Sequence, residues 1–182
     1  VNLVNATYTP SAADILNGSV ILTMTVTSAA PCAGDIDQMT LTINPQAIVS
    51  AGTDATICES STYTLSTATA TDYTSLLWTS SGTGTFDDAT LLAATYTPSA
   101  ADIAAGSVTL TLTAQSAAPC VSATDDMVLT ISLQATADAG TDATICEGSA
   151  YILSTASATN ATLVTWSSNG TGSFDNVNLV NA

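Results

Sequence analysis

The sequence predicts an all-β protein made of Greek-key β-sandwich domains arranged end to end, and three observations carry that prediction. The string Thr7-Tyr8-Thr9-Pro10-Ser11-Ala12-Ala13-Asp14-Ile15 recurs unchanged 88 residues later, from Thr95 to Ile103. The same offset, without a gap, relates Cys32 to Cys120, Cys58 to Cys146, Trp78 to Trp166, and the segment 51–59 to 139–147, which marks a tandem repeat. Within each repeat, runs rich in Thr, Val, Leu, Ile and Tyr alternate apolar with polar residues, and Gly, Ser, Asp and Pro punctuate them, the pattern of short strands with one face on a core and one in water.

Taken in order from Pro45, the alternation gives a first strand in two parts near 46–57, then strands near 61–69, 73–80, 83–87, 90–97, 106–116 and 126–133. Seven strands fit an immunoglobulin-like sandwich. Comparing the copies fixes the inward faces. Val108, Leu110, Leu112 and Ala114 correspond to Val20, Leu22, Met24 and Val26, whereas Ile21 matches Thr109 and so faces water. Met127, Leu129 and Ile131 correspond to Met39, Leu41 and Ile43, with Val128 exchanged for Thr40; Leu76 and Trp78 correspond to Val164 and Trp166, with Leu77 exchanged for Thr165. Alternate positions stay apolar and the intervening ones drift, as antiparallel strands require.

From Pro98 to Gly106 the alternation stops. Ser99 can cap a helical turn, Asp102 can return the bond, and Gly106 can end it. The period then divides the chain into 1–44, the C-terminal part of one repeat; 45–132, a complete repeat; and 133–182, the N-terminal part of the next. Val1-Asn2-Leu3-Val4-Asn5-Ala6 reappears at 177–182, so both ends fall at one phase of the repeat. The chain is therefore expected to be a window on a longer tandem array.

Among the 182 residues there are 15 Asp and Glu and no Lys, Arg or His, a net charge of −15. Nothing can neutralise phosphates, which excludes nucleic-acid binding and polybasic membrane attachment. Imidazole acid–base chemistry, Schiff-base lysines and arginine clamps are absent for the same reason, and no enzyme is expected. No apolar run approaches the ~18 residues of a membrane-spanning helix, so direct membrane insertion is not expected. With 46% apolar residues the chain can build a core. Charge of one sign makes copies of a repetitive rod repel one another and keeps it extended.

The marked residues divide between structure and chemistry. Trp78 and Trp166 occupy inward strand positions and are read as core. The pairs Asp87-Asp88 and Asp125-Asp126 are placed in loops; they are weak candidates for Ca²⁺, the one ion considered, because the spacings of known Ca²⁺ loops are missing and solvated carboxylates are the commoner reading. No cofactor is otherwise expected. Four Asn-x-Ser/Thr strings, at Asn5, Asn17, Asn160 and Asn169, are expected by chance in so Thr-rich a chain. Cys32, Cys58, Cys120 and Cys146 contain no C-x-x-C pair and read as disulfide partners in an oxidising compartment. Cys58–Cys120 within one repeat is preferred, although an ordinary sandwich sets these two at opposite ends. Cys32–Cys58 with Cys120–Cys146, stapling the junctions, is the open alternative.

The segment Ala139-Gly140-Thr141-Asp142-Ala143-Thr144-Ile145-Cys146-Glu147-Gly148-Ser149, a Trp some twenty residues on, the Thr-Tyr-Thr-Pro string and a Cys before the last strand together resemble the PKD-like and immunoglobulin-like repeats of giant Bacteroidota cell-surface adhesins, the SprB-type gliding adhesins. The resemblance implies an extracellular filament of tandem immunoglobulin-like (PKD-like) sandwiches on a bacterial cell surface, exported by the type IX pathway and used in adhesion or gliding motility. Its partners would be neighbouring repeats of the same long chain or fibre, and surface glycans. The expected function is a structural module giving length and mechanical continuity. One alternative is a multivalent Ca²⁺- or glycan-binding module; another is a filament of separate chains that complete each other's domains.

Overall fold

The computed structural model describes residues 6–180; the match between the two terminal hexapeptides lies mostly outside them. In chain order the elements are α1 (Ala12–Asn17), β1 (Ser19–Val26), β2 (Asp35–Thr42), β3 (Ile48–Ser50), β4 (Ala55–Cys58), β5 (Tyr63–Thr64), β6 (Thr69–Thr71), β7 (Ser75–Ser80), β8 (Thr85–Phe86), β9 (Thr95–Thr97), α2 (Ala100–Ala105), β10 (Ser107–Gln115), β11 (Ala123–Ser132), β12 (Thr136–Asp138) and β13 (Ser157–Thr159). The protein is predominantly β, with several sheets, and resembles an immunoglobulin-like sandwich.

One layer is a four-stranded sheet in the order β4-β11-β10-β7; opposite it lie the pair β3-β6 and the three-stranded sheet β5-β9-β8. Between them sits one core cluster in which Leu65, Ala68, Ala94 and Tyr96 meet Leu76, Trp78, Val108, Leu110, Leu112, Met127 and Leu129. The inward residues of β10 and β11 are those that the alternation picks out, and Leu77 and Val128 face outward as the exchange between copies requires. Every buried apolar residue of the described chain lies between Ala47 and Ile131.

The first strand crosses between layers. β3 pairs antiparallel with β6, whereas β4 pairs parallel with β11; at the crossing the Ala51 N–H donates to Asp125 Oδ2 at 2.8 Å. The expected strand near 61–69 is two short strands in different sheets, because the chain turns between them: Ser66 N–H donates to the Thr64 carbonyl and Ala68 N–H to that of Leu65. The strand expected near 90–97 shrinks to Thr95–Thr97, since Asp88 accepts from the Thr90 N–H and hydroxyl and holds a turn there. Asp125 and Asp126, expected in a loop, lie inside β11 opposite Leu112 and Thr111; the hairpin continues until its last paired residues, Ala114 and Ala123.

α2 forms as its sequence dictates. The Ser99 side chain accepts from the Asp102 N–H, Asp102 accepts in return from the Ser99 N–H, and Gly106 closes the turn at φ 77° with its N–H on the Asp102 and Ile103 carbonyls. The same box recurs at Ser11, Asp14 and Gly18 around α1, so this element is encoded locally.

Candidate interaction surfaces

The most connected polar group of the core is the carboxylate of Asp102, 2% exposed. Its Oδ2 accepts from the Tyr96 hydroxyl at 2.8 Å, the Gly84 N–H at 2.8 Å and the Ser99 N–H at 2.9 Å; its Oδ1 accepts from the Thr83 N–H at 2.9 Å. Ser80 Oγ lies 2.9 Å from the Tyr96 oxygen and donates to it, the tyrosine proton being on Asp102. Burial alone would raise the acid's pKa, but the N–H groups of Ser99 and Thr83, then the Tyr96 hydroxyl, outweigh it and hold the pKa down at about 2. Burial raises the Tyr96 phenol. Gly82 and Gly84 admit this approach: a Cβ at Gly82 would strike the Asp102 carboxylate, and one at Gly84 the Tyr96 hydroxyl and the Thr97 carbonyl. The ionised carboxylate is saturated with donors, and the network is a staple tying α2 and β9 to the 82–84 loop.

The sequence reads Asp102 only as a capping residue. Its tie to Tyr96 and the glycine loop crosses from one part of the repeat to another. A hint is legible: Gly-Thr-Gly at 82–84 returns at 170–172, in step with the repeated Tyr and Asp.

Residues 6–44 repeat the second part of the sandwich without its first part. β1 pairs with β2 in the register of β10 with β11, yet Met39 is 56% exposed where Met127 is 1%, and Tyr8 is 41% exposed where Tyr96 is 0%. Asp14 accepts from the Tyr8 hydroxyl at 2.7 Å and from the Ser11 N–H and hydroxyl at 2.8 Å, which hold its pKa below the ordinary value. No N–H from a glycine loop reaches it among the described residues.

Residues 133–180 repeat the first part without the second. Ala137, Ala158, Leu163, Val164, Trp166 and Val180 line an open groove of about 280 Å³. Trp166 is only half-buried there and donates its indole N–H to the Leu179 carbonyl at 2.8 Å, whereas Trp78 is enclosed and donates to that of Leu92 at 3.3 Å. Both tryptophans stack on the following Phe, at 6.2 Å. Trp166, expected in a core, stands half-buried in the wall of this groove.

The carboxylates marked for Ca²⁺ are engaged otherwise. Asp87 accepts from the Thr95 and Asp88 N–H groups, which lower its pKa in that order, and the Thr90 hydroxyl and N–H do the same for Asp88. Asp125 holds the strand crossing at Ala51, and Asp126 is the next residue of β11. Among the described residues no group of three or more His, Cys, Asp or Glu could hold a metal ion.

The disulfide expectation is corrected: Cys32, Cys58, Cys120 and Cys146 are all free. Cys58 stands opposite Ser132 at one end of β11, while Cys120 precedes the other end. Ten extended residues separate those ends by about 30 Å, far beyond the ~6 Å between Cα atoms of a disulfide. Cys120 instead places its Sγ 3.3 Å from the Asn44 carbonyl.

No protein-family model matches the chain, and no curated protein matches it. Among solved structures it is similar to the crystal structure of the Protocadherin GammaB4 extracellular domain, with 13% identity and a TM-score of 0.46, over 92% of this chain and 34% of that one. The chain spans about a third of that relative's length. The expected assignments to gliding motility and type IX export find no support in these comparisons. No helix of the described residues is long and apolar enough to cross a membrane.

Proposed function

We propose that this chain is a structural repeat module of an extracellular adhesin or filament on a bacterial cell surface, giving length and mechanical continuity to adhesion. It is read as three parts, 1–44, 45–132 and 133–182, of tandem Greek-key sandwiches. The observation that carries the reading is the direction in which the chain enters and leaves the packed unit. It enters beside the β10–β11 hairpin, where Ala47 N–H donates to Ser116 Oγ at 2.9 Å and Asn44 Nδ2 to the Ala118 carbonyl at 2.6 Å. It leaves past Ser132 at the other end of β11, where Gln134 N–H donates to Glu59 Oε1 at 3.3 Å. A unit threaded from end to end, in a sequence that repeats every 88 residues, suits a string under tension. Its partners in this reading are neighbouring repeats and, at other parts of the fibre, surface glycans.

Pulling single molecules by their ends tests the reading. The packed unit is expected to resist and then to release in one step of about 300 Å, the extended length of one repeat. Gradual lengthening without a step would defeat it. The multivalent Ca²⁺ or glycan module gains no observation in its favour, since the marked carboxylates are occupied by turns and by the strand crossing.

A further inference from the structure

We propose that Asp54 and Asp125 form a reciprocal clamp that joins the strand by which the chain enters the packed unit to the strand by which it leaves, and that this clamp sets the force at which the unit opens. The proposal rests on the filament reading and names the residues that would carry its tension.

The first strand loses its backbone partners where it crosses between the layers. β3 ends at Ser50, paired with Thr69 of β6, and β4 begins at Ala55, paired with Leu129 of β11; residues 51–54 lie in no strand. Two carboxylates fill this gap, one from each side. The Ala51 N–H donates to Asp125 Oδ2, and the Val128 N–H donates to Asp54 Oδ1, each at 2.8 Å. Each bond spans 74 residues, the separation of Ala55 from Leu129, so the two side chains continue the parallel register of β4 on β11 upstream of its first backbone pair. Ala51 is wholly buried, so no water can stand in for the carboxylate that takes its N–H. The other copies keep both acids but not their neighbour: Asp142 and Asp37 stand at the two positions, whereas Asp126 is exchanged for Gln38.

The direction of the strands gives these bonds their use. β4 and β11 run parallel, and the chain enters upstream of β4 and leaves downstream of β11. Tension between the two ends therefore pulls the strands along their length in opposite directions, and every bond between them shares the load at once. Bonds peeled from one end would instead give way singly. The clamp lengthens the shared row on the side where the load enters, with bonds to ionised groups, which are stronger than neutral ones. On the other side the row closes with the Glu59 N–H on the Ser132 carbonyl at 3.0 Å and the Gln134 N–H on Glu59 Oε1 at 3.3 Å. The staple around Asp102 joins α2, β9 and the 82–84 loop and bonds neither of the two pulled strands.

Single molecules of the full chain held at constant force are the test. Release of the packed unit is expected to quicken about tenfold in Asp125→Ala, which strands the buried Ala51 N–H. It should quicken severalfold in Asp54→Ala, whose side chain is exposed and whose loss leaves folding intact. Two variants serve as controls. Asp126→Ala removes the same charge one residue along, and Asp102→Ala weakens the fold away from the row. Both are expected to change the release rate less than about twofold, because the staple is still closed when the row breaks. Quickening by either control as large as that of Asp125→Ala, or none in Asp125→Ala and Asp54→Ala, overturns the clamp. The one-step release of the native chain, read in the same traces, decides the filament reading separately.

Discussion

Residues 7–44 and 95–132 are two versions of one sequence in two situations, and the contrast between them separates local from tertiary causes. Thr95-Tyr96-Thr97 is a strand with Tyr96 wholly enclosed, but the identical Thr7-Tyr8-Thr9 is not a strand and its Tyr is open to solvent. The helix with its capping box and the long hairpin survive in both. What survives is closed within the segment itself. What is lost depends on the earlier part of the repeat: β9 exists because β5 and β8 flank it, and Asp102 is buried because the 82–84 loop reaches it.

The largest break in this comparison should come from the tryptophans. Trp78→Ala removes an enclosed ring and is expected to cost about 3–5 kcal/mol of unfolding free energy. Trp166→Ala should stay within about 1 kcal/mol in dilute, unassociated chain. Urea unfolding followed by far-ultraviolet circular dichroism reads both, and equal losses would show that the 133–180 segment already has a core of its own.

Next comes the carboxylate. Asp102→Ala leaves the N–H groups of Thr83 and Gly84 and the Tyr96 hydroxyl without an acceptor, at a cost of about 3 kcal/mol, whereas Asp14→Ala should loosen only α1. The acid also sets a pH dependence. Its folded pKa of about 2 lies below the ordinary 3.8, so its contribution, on the order of 2 kcal/mol, is fully present above pH 3.8 and is lost as the pH falls through 2. Denaturant midpoints measured down that range should drop for the native chain and flatten for Asp102→Asn.

The smallest effect sharpens the comparison at the helix ends. Gly106 stands at φ 77° with nothing within 4 Å of a Cβ, so Gly106→Ala carries only the conformational cost of the left-handed turn, about 1 kcal/mol. Gly18→Ala carries the same local cost, yet α1 has no buried residue, and the global unfolding midpoint should not move.

The strands of the packed unit were legible where alternation ran long, as in β7, β10 and β11, because six or more residues show which face is inward. The two-residue strands β5 and β8, and the division of 61–71 between layers, were not legible. Their pairing is decided by where the chain must turn to reach another sheet. Asp125 and Asp126 were misplaced because two acidic residues read as a loop, whereas at the start of a hairpin they point to strand edges and crossings. The staple around Asp102 was half legible: its capping bonds lie within three residues, but Tyr96 and the glycine loop meet it only in the folded unit.

By itself, the sequence determined the repeat period, the inward face of each long strand, the capped helical turn and the absence of any cationic chemistry. Periodicity, capping and composition are properties of neighbouring residues and survive in any context. Tertiary structure alone decided which copies of those patterns become core. Burial needs a second layer, and the same Met and Tyr are enclosed at 95–132 and open at 7–44, the Asp buried in one and half-buried in the other, according to whether that layer is present.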